Sequence, residues 1–149
     1  MKSLRSNMLT ILVLLLIVIL AILLKLKSEK DALQKNIDLT FKTAISDSMD
    51  GLAKDYSKID SNQKIQYSYQ TVINLKDALD VFHVSSYKNY EEYFLILNRL
   101  YLYLLENYNN KNEIDGKLYI FEFLGKSLVY PNDNELISDF NNYLDGKSK

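Results

Sequence analysis

Cysteine and tryptophan are absent from this 149-residue chain, which has one histidine, one proline and four glycines. Without cysteine, the chain has no disulfide, no thiolate metal ligand and no thiol nucleophile, and it cannot carry a lipid on a cysteine. Zinc sites and histidine-dependent triads would all compete for His83. The glycines are isolated, so no glycine-rich phosphate loop is present. With so few helix breakers, the composition favours an all-α fold.

One long apolar segment dominates the rest of the sequence. Residues 8–24 read MLTILVLLLIVILAILL, with no charge and Thr10 as the polar exception. As a helix this run spans about 25 Å, close to the thickness of bilayer hydrocarbon. It exceeds the ~7–15 apolar residues of a cleaved signal peptide, and no small-residue cleavage site follows it. We therefore predict a short basic tail at 1–7 and a transmembrane signal anchor at 8–26, with the lipid bilayer as a partner.

The charges beside the anchor bear on its orientation in the membrane. Lys2 and Arg5 precede it, and four lysines follow it: Lys25, Lys27, Lys30 and Lys35. Counted strictly, the positive-inside rule favours a cytoplasmic C-terminal domain, but long domains translocate largely regardless of charge. A short basic tail before a first apolar helix is the ordinary layout of a signal anchor. We predict a single-pass protein of the cell membrane with an extracytoplasmic C-terminal domain, and a cytoplasmic domain is the alternative.

The chain after the anchor is acidic and long enough for one hydrophobic core. From Ser28 onward it has 14 Lys or Arg and 19 Asp or Glu, a net charge of −5. No basic patch of useful size appears, so we expect no nucleic-acid partner. About 120 residues suffice for one modest core and not for two.

Apolar residues recur every three or four positions through this part, which predicts amphipathic helices. We predict a stalk helix at 27–59 that joins an antiparallel bundle of four or five helices at 60–145, and a tail at 146–149. From Ile45 to Ile59 the spacing is that of a heptad seam, which indicates either packing within the chain or a coiled-coil dimer. Residues 114–130 suit a helix or a strand, and the all-α context favours the helix.

Polar residues mark the expected helix boundaries. Asp60 and its neighbours can cap a second helix that ends near Val84, and Ser85 can cap the next. We expect the third helix at 87–108. Asn132, with Glu135 three residues later, predicts the start of the last helix as a capping box.

Two groups of side chains are candidates for function. Arg99 is the one arginine after Arg5 and lies in the most apolar helix, where it either forms an internal ion pair or binds an anionic ligand together with Tyr101 and His83. The chain also has twelve tyrosines. Tyrosine is favoured at protein interfaces. We therefore assign a partner surface to three tyrosines that lie outside the regularly spaced positions of the third helix expected to face the core: Tyr87, Tyr93 and Tyr103.

No combination of residues in the sequence indicates a particular reaction. We therefore expect that the protein is not an enzyme and that it binds neither a cofactor nor a metal. We predict a membrane-tethered helical module that binds another protein, as an accessory or adaptor subunit at the cell envelope, or that self-associates through its stalk. The alternative is an extracytoplasmic ligand-sensing bundle with its pocket around Arg99.

Overall fold

The computed structural model describes residues 2–147, with side chains described from Ile11 onward. It is 82% helical, and no strand occurs in the described part, so the chain is all-α. Five α-helices follow one another: α1 (Lys2–Leu52), α2 (Ser61–Phe82), α3 (Glu91–Asn109), α4 (Lys117–Ser127) and α5 (Asn134–Asp145). Two short 3-10 helices, Tyr56–Lys58 and Ser86–Asn89, lie before and after α2. The side chains of the predicted tail 1–7 and residues 148–149 of the predicted C-terminal tail lie outside the described residues.

A boundary between Asn36 and Ile37, inside α1, divides the chain into two compact units. The first unit contains the apolar segment. Of the described residues, α1 supplies the one helix that is long and apolar enough to cross a membrane, with a mean hydropathy of 2.8 in its apolar window. None of that window is buried within the chain. Length and composition alone give this result, and a signal sequence passes the same test.

The second unit has a single hydrophobic core to which all five helices contribute. Its fully buried side chains include Phe41 and Ile45 from the end of α1, and further residues from the other helices: Leu75, Phe82, Leu97, Leu100, Leu104, Ile120, Leu124 and Phe140. Helix α3 lies against both α2 and α5, and α4 lies against α5. This explains why the middle of the α3 sequence is apolar on nearly every side, since a helix with two helical neighbours buries most of its circumference.

The end of α1 differs from the predicted stalk. The helix stops at Leu52 instead of residue 59, and Asp55 caps a 3-10 turn by accepting a 3.1 Å hydrogen bond from the Ser57 backbone N–H. The predicted heptad seam nevertheless faces inward, because Ile45, Leu52 and Tyr56 are all buried in the chain's own core. These side chains are therefore not available to a coiled-coil dimer.

Local hydrogen bonds set the remaining helix boundaries. Asp60 and Gln63 form the capping box of α2, at the predicted place. Ser85 caps the second 3-10 helix, so α3 begins at Glu91 and not at residue 87 as predicted. The segment 114–130, left open between helix and strand, contains helix α4. Helix α5 is capped by Asp133, which accepts a 3.0 Å bond from the Leu136 backbone N–H, one residue later than the predicted cap at Asn132.

Candidate functional site

Arg99, the predicted anion-binding residue, is engaged with helix α5. Its guanidinium donates to Asn141 Oδ1 and to Asp145 Oδ1, and the ion pair with Asp145 lies at the surface. Pairing with a carboxylate is therefore the alternative that the structure supports for Arg99, although the pair lies at the surface and not inside the fold. The side chain holds α3 to α5 and keeps its charge near solvent, as a long cationic side chain on apolar surface usually does.

The structure does not gather Arg99, Tyr101 and His83 into one pocket. Tyr101 follows Arg99 by two residues, which places it about 200° around the helix, and its ring packs against the core. His83 ends α2 in an exposed position, with its ring 4.6 Å from the Phe94 ring between centroids. The fold forms three surface depressions elsewhere, and none of them is lined by any of these three residues.

Two of the three predicted interface tyrosines belong to the core, which corrects their assignment to a partner surface. Tyr93 is fully buried, and its hydroxyl forms a 3.1 Å hydrogen bond with the Ser127 hydroxyl. Tyr87 is buried and donates to the Leu128 carbonyl at 3.1 Å. Their rings pack with Phe41 in one aromatic cluster. The sequence did not distinguish them because the middle of α3 is apolar on nearly every side. Its buried face includes Tyr93, Ile96 and Leu100, while Tyr87 lies in the 3-10 helix before it.

Tyr103 lies at the edge of the core, where a small network ties the chain's end to the α3–α4 connection. The hydroxyls of Tyr103 and Tyr143 donate to the Asp115 carbonyl, at 3.4 and 2.8 Å. Lys147 forms an ion pair with the Asp115 carboxylate, and the hydrogen bond from Lys147 lowers the pKa of that carboxyl. Tyr103 is therefore partly occupied within its own chain.

A groove between the first turns of α3 and α5 is the strongest candidate for a partner surface. It consists of two adjoining depressions of about 310 and 280 Å³ that share Glu92, Asn134 and Ile137. Ile96 and Ile137, both nearly buried, line its floor, and Leu95, 59% exposed, stands at its side. Side-chain amides line much of the rest: Asn89, Asn132, Asn134 and Asn141.

The charge of this groove comes from Glu91 and Glu92, the charged residues among the described groove lining. Both stand in the first turn of α3, where negative charge is favoured by the helix dipole, and Tyr90 provides no side-chain cap there. The glutamates thus stabilise the start of α3, and they also give the groove a negatively charged edge. The sequence alone does not reveal the second role, because the approach of α5 cannot be seen in the α3 sequence.

The side chains that line the groove offer binding chemistry. An apolar floor can bury an aliphatic side chain, amides can donate to and accept from a peptide backbone, and carboxylates can pair with Lys or Arg. In the described part of the chain, no group of three or more His, Asp or Glu side chains is placed to hold a metal ion.

Compared with known proteins, the chain matches no protein family, no curated protein and no solved structure.

Proposed function

We propose that this protein is a membrane-tethered helical bundle of the cell envelope that binds another protein through the groove between α3 and α5. Residues 8–26 serve as an uncleaved single-pass anchor, and the acidic helical domain lies on the extracytoplasmic side. The protein acts as an accessory or adaptor subunit and does not catalyse a reaction.

The observation that carries the proposal is that no residue of the apolar window is buried within the chain. Fourteen large aliphatic side chains between Ile11 and Leu26 are 50–61% exposed in the chain itself. Moving such side chains from water to hydrocarbon is favourable by roughly 1 kcal/mol or more each, so the segment as a whole strongly favours a bilayer. Residues 8–24 carry no ionisable group that could line a pore, so a tether is the role that the chemistry of this segment supports.

The partner that suits the groove carries an aliphatic residue beside a lysine or arginine. Leu95 and Leu102, seven residues apart on one face of α3, are both more than half exposed. Together with the glutamates, they provide an apolar strip with a negative edge, on a domain that is itself negative. A basic segment is attracted by that charge, while the leucines and the isoleucine floor supply apolar contact.

The tether is tested on membranes from cells that express the full-length chain. We expect the protein to remain in the pellet after alkaline carbonate washing, and proteases added to intact cells whose outer barriers have been removed to degrade the helical domain. A full-length species released into the soluble fraction, or one trimmed just after the apolar segment, would contradict the anchor. A domain protected until the membrane is permeabilised would contradict the orientation.

The groove is tested by comparing two variants during purification in mild detergent after in-cell crosslinking. Leu95→Asp combined with Leu102→Asp places charge beside the groove, and we expect the crosslinked partner to be lost. Leu118→Asp is the matched control, because Leu118 is 70% exposed on α4 and does not line the groove. Partner loss in both variants, or in neither, would refute the role of the groove. A strictly solitary chain at native expression would refute the function.

A further inference from the structure

We infer that a third depression, at the opposite end of α3 from the groove, is a binding site for a small monoanionic organic acid with a flat apolar body. It has a volume of about 330 Å³ and lies where the first 3-10 helix, the start of α2 and the end of α3 meet. This places it within the size range of small-molecule sites. The site is independent of the proposed partner groove and of the anchor.

The apolar part of the site consists of two tyrosine rings and an isoleucine. Tyr56 is buried at its base, Tyr108 packs against the core, and Ile65 is 44% exposed beside them. Ile65 lies seven residues before the buried Val72 of α2, near the same face of the helix, yet the fold leaves it uncovered. A flat apolar group placed here would cover Ile65 and lie against aromatic rings, which is how such sites hold most of a ligand's surface.

The charge of the site is positive in a domain that is otherwise negative. Lys64 and Lys111 line it together with Glu113, and Glu113 forms a 2.8 Å ion pair with Lys64. Lys111 makes no ion pair in the described part of the chain. One cation therefore remains uncompensated, which matches a ligand with a single negative charge, such as a carboxylate.

The backbone of Lys111 gives an independent reason to assign a role to its side chain. Lys111 has a φ of 57°, in the left-handed region, and is the non-glycine residue with positive φ among those described. It ends α3 in a Schellman arrangement, in which the Asn112 N–H donates to the Asn107 carbonyl at 2.9 Å. Glycine or asparagine ordinarily occupies this position, because a Cβ there is strained. The turn itself therefore gives no reason for a lysine at this position, and its charged side chain is the feature that a glycine or asparagine would lack.

This conflict allows a test in which stability and binding change in opposite directions. Lys111→Gly relieves the backbone strain and removes the cation. We expect the urea midpoint of the full-length protein in lipid nanodiscs to rise or stay constant, while affinity for the probe falls about tenfold, the usual loss for one charge-assisted hydrogen bond. Lys88→Ala, which removes an exposed lysine outside the site, is the control and should leave affinity unchanged.

The probe is 4-fluorophenylacetate, followed by ¹⁹F NMR line broadening, with empty nanodiscs as the background. Its uncharged analogue, 4-fluorophenylacetamide, should bind much more weakly. Glu113→Gln should strengthen binding of the acid severalfold, because Lys64 is then released from its ion pair. The proposal is overturned if the acid does not bind, if the amide binds equally well, or if Lys111→Gly leaves the affinity unchanged. None of these results depends on the partner groove or the membrane anchor.

Discussion

Replacing Gly51 by alanine should destabilise the helical domain, although alanine is the better helix former. Gly51 is buried in the last turn of α1. A Cβ on Gly51 would lie 2.1 Å from Thr71 Oγ1 and 2.7 Å from the Tyr67 carbonyl oxygen, both on α2. Ordinary contacts of this kind lie at 3.4–4 Å. The backbones of α1 and α2 are therefore in contact at a point where only glycine fits.

The magnitude follows from two opposing effects. Alanine in a helix gains about 0.5–1 kcal/mol over glycine. Forcing α1 away from the Tyr67 carbonyl by more than half an ångström disturbs the packing of Leu52 and of the core below it, and such overpacking costs about 1–3 kcal/mol or more. One obstacle is a backbone oxygen and the other is the short, fully buried side chain of Thr71, which donates to that oxygen. Because neither can move aside freely, overpacking should outweigh helix propensity. We expect a net loss of about 1–2 kcal/mol.

Gly125→Ala is the matched control, since Gly125 also lies inside a helix. Its Cβ would meet only the methyl end of Met49, at 3.3 Å, and that flexible side chain can move. We expect this variant to be as stable as the parent or more stable, by up to about 1 kcal/mol. Urea unfolding of the full-length variants in detergent micelles, followed by circular dichroism, measures both. The reasoning is refuted if Gly51→Ala is at least as stable as Gly125→Ala.

Three further outcomes can be measured in the same assay. Arg99→Ala should cost about 0.5–1 kcal/mol, because its ion pair with Asp145 is at the surface; a loss above about 3 kcal/mol would show that this pair is underestimated. Burial raises the pKa of Tyr93, so stability should fall as pH rises above 10, where only the unfolded chain releases this proton; Tyr93→Phe should flatten the fall. Lys147 lowers the pKa of Asp115, so stability should fall as pH drops below 3.8, and Asp115→Asn should reduce that dependence.

The helices could be predicted from the sequence because their causes are local. A scarcity of proline and glycine, and apolar residues at steps of three and four, indicate helices wherever they form. The capping box at Asp60 is equally local, since its two partners are three residues apart. The 3-10 helices were missed because a single turn carries no periodicity. Their omission shifted the predicted start of α3, and the nearly all-apolar middle of that helix did not reveal that Tyr93 lies on its buried face.

The end of α1 and the fate of Arg99 depend on contacts between residues far apart in the chain. Gly51 meets α2 about twenty residues later, and Arg99 meets Asp145 after 46. No pattern inside one helix records such an approach. The sequence predicts that Arg99 needs a partner, because a charged side chain in an apolar helix must be paired or solvated. It does not predict which helix provides that partner.

Neither candidate surface was predicted from the sequence, for a related reason, although each left a signal in it. Glu91 and Glu92 are adjacent carboxylates in the sequence, but a groove requires the α5 wall beside them. Lys111 lies among asparagines in a loop where any of them would suit a left-handed turn better. A residue can be recognised as unfavourable for its backbone conformation only when that conformation is known. Both candidate surfaces thus lie where the end of one helix comes close to another helix. At such places, a residue that is unfavourable for its backbone conformation, or an excess of charge, is the feature to look for.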